Sequence, residues 1–162
     1  MGLRRILVVD DSSTIRRVVS NVLRQAGYDV STAESGDHGL VEARASNPDL
    51  ILLDFMMPGM NGYQFVKRLD AEDHGRAPII LMCTRTDQVP EGQLKNLGVV
   101  DNITKPFSPE AILAVVQYCL EKHSAVPRQE TTRVTQLAEL EKIAQDFEND
   151  VTVPGVPLTL AP

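Results

Sequence analysis

Five short runs of apolar and β-branched residues, each closing on a polar group, alternate with stretches of helical spacing along this chain. The runs cover residues 4–9, 28–33, 49–53, 78–83 and 99–103. Runs of this length with little polar interruption suit strands buried on both faces, which in practice means a parallel sheet covered by helices. The intervening segments agree. Ile15, Val18, Val19, Val22, Leu23 and Ala26 recur at helical spacing and stop at Gly27. Gly36 to Ser46 reads as a second helix, broken by Asn47-Pro48. Asn61 caps a third that closes near Gly75, and Asp87 to Leu97 is a weaker fourth with Pro90 in its first turn. Ser108-Pro109 starts a fifth, running to about residue 122. Strand–helix alternation of this kind predicts an α/β fold with a doubly wound parallel sheet of five strands and five helices.

Such a sheet brings the C-terminal ends of its strands to one edge, where ligands bind. The polar residues that close the runs are therefore expected to meet: Asp10-Asp11 after the first strand, Asp54 after the third, Thr84 after the fourth and Lys105 after the fifth. Any one of these is ordinary, as a loop acid, a strand-end threonine or a turn lysine. Their joint occurrence at successive strand ends points to chemistry. Magnesium takes oxygen ligands and keeps several waters, so Asp10, Asp11 and Asp54 suit it, with the Met56 carbonyl placed to complete the set. Asp54 is the natural nucleophile, since an aspartate accepts a phosphoryl group as an acyl phosphate. Lys105 supplies a cation and Thr84 a hydroxyl donor for the oxygens of a transferred phosphoryl group. No other cofactor-binding pattern is visible.

The remaining features exclude more than they assign. A net charge of −6 and a pI near 5.0 argue against direct nucleic-acid binding, and Arg16-Arg17 reads as a solvated helix face. Cys83 and Cys119 lack metal-ligand spacing and are expected to be buried and reduced. Neither a signal peptide nor an apolar run of membrane-spanning length is present, so a cytoplasmic location with no membrane association is expected.

Val8-Val9-Asp10-Asp11-Ser12, the stretch from Leu53-Asp54 to Asn61-Gly62, Thr84 and Lys105-Pro106-Phe107 together resemble the receiver domain of bacterial two-component response regulators. The resemblance covers about residues 3–122. It implies a flavodoxin-like strand order, 2-1-3-4-5, and magnesium-dependent transfer to Asp54 from the phosphohistidine of a sensor histidine kinase or phosphotransfer protein. Two positions depart from the family pattern. Arg85 follows Thr84 where a small residue is usual, and Asn102 stands where the family carries an aromatic involved in switching.

The domain reading is a receiver over 1–122, a linker over 123–131, an amphipathic helix over 132–149 and an extended or disordered tail over 150–162. Val134, Leu137, Leu140, Ile143, Ala144 and Phe147 form the stripe of that helix. Residues 123–162 carry six acids against three basic residues and include no DNA-binding module. Output is therefore expected by protein–protein contact, through the face of the fourth helix, fifth strand and fifth helix or through the C-terminal helix, with a homodimer as one form. The rival expectations are a pseudo-receiver scaffold uncoupled by Arg85 and Asn102, and the receiver portion of a larger regulator. Beyond self-phosphorylation and dephosphorylation, no independent catalytic constellation appears.

Overall fold

The computed structural model describes residues 2–72, 77–85 and 87–124. The expected C-terminal helix and tail, and nearly all of the expected linker, fall outside these residues. The elements run β1 (Arg5–Val9), α1 (Ser13–Gln25), β2 (Asp29–Ala33), α2 (Gly36–Ser46), β3 (Leu50–Asp54), α3 (Gly62–Glu72), β4 (Ile79–Cys83), α4 (Glu91–Lys95), β5 (Val99–Thr104) and α5 (Pro109–Ser124). The strands form one parallel sheet in the order β2-β1-β3-β4-β5, as expected.

Alternation along each strand divides the core into two layers. Leu7, Val9, Ile51, Leu53, Ile79 and Leu81 pack with Leu40 and Ala43 of α2 and Phe65, Val66 and Leu69 of α3. Ile6, Val8, Leu50, Leu52, Ile80 and Met82 pack on the opposite side with Val19 and Leu23 of α1 and Ile112, Val116 and Leu120 of α5. The central strands β1, β3 and β4 are buried almost throughout, which is why they read as unbroken apolar runs. Removing each such side chain from water contributes roughly 1.5–3 kcal/mol. Neither cysteine forms a disulfide, and both are buried.

Local chemistry sets the helix ends. Ser12 caps α1 by accepting from the Ile15 amide at 3.3 Å. Asn61 and Gln64 cap α3 reciprocally, each side chain accepting from the other's backbone N–H at 2.9 Å. Gly27 takes a φ of 97° in the turn after α1, which only glycine adopts without strain.

Among the differences from the sequence reading are two helix boundaries and one strand register. α4 is five residues, Glu91–Lys95, rather than a helix from Asp87. The Asp87 carboxylate instead accepts from the Thr84 amide at 2.7 Å, closing a turn, and Pro90 donates no hydrogen bond to a preceding turn. α5 continues to Ser124, two residues past its expected end and into the segment taken as linker. β5 carries a register shift: Ile79 pairs Val99 but Ile80 pairs Asp101, so Val100 is an extra residue.

Candidate functional site

The edge at the strand C-termini collects the polar residues by register. Asp10 continues the alternation of Ile6 and Val8, Asp54 that of Leu50 and Leu52, and Thr84 that of Ile80 and Met82. These positions share the α1/α5 side of the sheet. On β5 the extra residue Val100 shifts the phase, so that Ile103 joins this side and Lys105, two residues on, follows it. Lys105 is further fixed by its amide, which donates to the Cys83 carbonyl at 2.7 Å; its bond to Pro106 is a cis peptide.

Asp10 and Asp54 are buried, whereas Asp11 is exposed at the rim. One carboxylate oxygen from each lies within 4.8 Å of the others. The Lys105 ammonium sits 2.8 Å from Asp10 Oδ2 and 3.2 Å from Asp54 Oδ1, bridging the two buried acids. Asp10 Oδ1 accepts from the Ser12 amide at 2.9 Å.

Burial, then the neighbouring Asp10 charge, pushes the Asp54 carboxyl up to about 7, against the pull of Lys105; a hydrogen bond with Asp11 adds to the rise. Burial alone would lower Lys105, but its hydrogen bond and charge contact with Asp10, and those with Asp54, raise it above its ordinary value. Three acids against one lysine leave the cluster short of positive charge. Its donors are all carboxylate oxygens, with no nitrogen or sulfur ligand, which is the chemistry of a hard divalent cation such as magnesium.

The loop after β3 is closed by the Gly62 amide, which donates to the Phe55 carbonyl at 2.7 Å. A Cβ on Gly62 would lie 2.9 Å from Phe55 Cα and 3.2 Å from the Asp54 carbonyl oxygen, so this close approach requires glycine. The closed loop carries Met56, whose side chain is exposed, two residues beyond Asp54. Thr84 and Arg85 stand exposed at the end of β4. Asn102 is exposed on the edge strand β5, with its amide donating to Asp101 Oδ1 at 2.8 Å.

Arg16 is the residue that sequence reasoning missed. It is half-buried, and its Nη1 donates to the Asp10 carbonyl at 2.7 Å, whereas the Arg16-Arg17 pair reads in the sequence as solvated. A signal exists: helical side chains tilt toward the helix N-terminus, so a long cation one turn into α1 reaches back over the acidic loop that precedes it.

A family model described as the response regulator receiver domain matches residues 6–117. The phosphate regulon transcriptional regulatory protein PhoB of Escherichia coli (strain K12) is 36% identical over 136 residues, covering 83% of this chain and 59% of PhoB. The DNA-binding response regulator MtrA of Mycobacterium tuberculosis (strain CDC 1551 / Oshkosh) is 38% identical over 124 residues, covering 76% of this chain and 54% of MtrA. The chain thus spans a little over half the length of these relatives. Among solved structures, the Vibrio cholerae chemotaxis response regulator CheY4 superposes with a TM-score of 0.66 at 36% identity, over 73% of this chain and 99% of its own. No helix among the described residues is long and apolar enough to cross a membrane.

Proposed function

The chain belongs to the response regulator receiver domain family, and we propose that Asp54 is its phosphoryl acceptor, loaded from a phosphohistidine in a magnesium-dependent reaction. The observation that carries this reading is the bridging of Asp10 and Asp54 by Lys105 beside the rim acid Asp11. Asp10, Asp11, Asp54 and the Met56 carbonyl would hold the magnesium ion, which supplies charge neutralisation at the phosphoryl oxygens when bound. An Asp54 carboxylate oxygen forms the new bond to phosphorus while the bond from phosphorus to the imidazole nitrogen of the donor breaks, and the imidazole leaves. The Lys105 ammonium, already within 3.2 Å of Asp54 Oδ1, follows the added negative charge onto a phosphoryl oxygen. Thr84, at the end of the strand next to that of Lys105, donates its hydroxyl to another.

The donor is a sensor histidine kinase or phosphotransfer protein, acting in the cytoplasm, and there is no catalysis beyond gain and loss of the phosphoryl group. Output runs through protein contact at α4, β5 and α5, where Val100 and Tyr118 are large exposed apolar residues. With Asn102 in place of an aromatic, the signal does not pass through a ring at that position. Borohydride trapping tests the chemistry. After exposure to a small phosphodonor with magnesium, an acyl phosphate at Asp54 is reduced to homoserine, and peptide mapping finds the changed residue at position 54. Homoserine elsewhere, or none, refutes the assignment.

A further inference from the structure

We infer that Arg16 is a positioning residue for the cation site, acting through the main chain of the acid pair; this rests on the reading of Asp10, Asp11 and Asp54 as magnesium ligands. Every polar group of Asp10 is held. Its amide donates to the Ala33 carbonyl at 3.1 Å, and its carbonyl accepts from Arg16 Nη1 at 2.7 Å. Oδ1 accepts from the Ser12 amide at 2.9 Å, and Oδ2 from Lys105 Nζ at 2.8 Å. β2 therefore fixes one side of the residue and α1 the other. The carbonyl that Arg16 grips belongs to the planar peptide joining Asp10 to Asp11, so its orientation sets where the exposed Asp11 begins.

The arginine is itself anchored. Its amide donates to the Ser12 carbonyl at 3.0 Å in the first turn of α1, and its carbonyl accepts from the buried Ser20 hydroxyl. These bonds fix the Arg16 backbone, from which the side chain spans from the helix to the acidic loop. The first turn of α1 carries no acid to which it would otherwise turn.

Two effects of Arg16 on a bound cation oppose each other. Its positive charge repels a divalent ion, while its hydrogen bond holds the peptide that presents Asp11. The residue is partly buried, and solvent screens its charge in part. Groups that orient metal ligands from behind are typically worth tenfold or more in affinity. Positioning therefore outweighs repulsion, and removing the arginine weakens magnesium binding.

Magnesium titration of the metal-free full chain by calorimetry tests this, with the Asp11 amide resonance followed in parallel and the urea midpoint in chelator confirming the fold. Arg16→Met is expected to bind magnesium roughly tenfold more weakly than wild type, with the Asp11 amide displaced. Arg16→Lys, which keeps the charge and one donor, is expected to bind about two- to threefold more weakly. Affinity for Arg16→Met equal to or tighter than wild type would leave only the charge effect and overturn the inference. If Arg16→Met does not fold, Arg16→Lys decides, and wild-type affinity in that variant overturns it. Failure of the wild type to bind magnesium would instead strike the metal-site reading itself.

Discussion

Replacing Asp54 by Asn should stabilise the metal-free protein, and by an amount that grows with pH. In the folded chain the Asp54 carboxyl is raised from 3.8 to about 7, chiefly by burial and the Asp10 charge. The folded state then holds a proton that the unfolded state has released, so wild-type stability falls as pH rises from about 4 to about 7 and is level above that. A shift of about 3 units at 1.36 kcal/mol each caps the effect near 4 kcal/mol, and the coupling to Asp10 and Lys105 argues for somewhat less. Asn keeps the shape and an oxygen for Lys105 but has no proton to lose. Urea unfolding of both proteins in chelator at pH 4.5 and pH 8 should therefore show the advantage of Asp54→Asn growing by about 2–3 kcal/mol between the two. Saturating magnesium at pH 8 should erase much of it, because the ion binds the ionised wild-type site more tightly. An advantage that is the same at both pH values, within about 0.5 kcal/mol, would refute the claim that burial and Asp10 strain the ionised form.

Two other substitutions follow from the same geometry. Lys105→Met leaves Asp10 and Asp54 facing each other without their bridging ammonium, and should cost about 2–4 kcal/mol in chelator, with magnesium restoring more stability than it adds to wild type. Gly62→Ala drives a methyl group against the Phe55 main chain and the Asp54 carbonyl, and should cost about 1–3 kcal/mol by urea unfolding while also weakening magnesium binding; unchanged values for both would mean that the loop after β3 is not packed as described.

The fold is legible in the sequence because parallel strands buried on both faces leave apolar runs, and because Gly27, Asn61 and Ser108-Pro109 punctuate the helices through backbone chemistry. The acids were legible because a strand that ends in a carboxylate is unusual when several do so at once. What escaped depends on contacts between segments far apart in the chain or on competition for one side chain. Asp87 looks like a helix start, but its carboxylate closes the turn on Thr84. The extra residue on β5 is invisible in a run such as Val99-Val100, yet without it Ile103 and Lys105 would fall on the opposite side of the sheet. Arg16 reads as half of a surface doublet until its guanidinium is seen against the Asp10 carbonyl.

The most direct test of the phosphoacceptor account is the intact mass of wild type and Asp54→Asn after incubation with a small phosphodonor, with magnesium and with chelator. The account predicts one added phosphoryl group on wild type, dependent on magnesium, and none on Asp54→Asn. An adduct of equal yield on both proteins, or none on wild type under conditions that load another receiver, would contradict it.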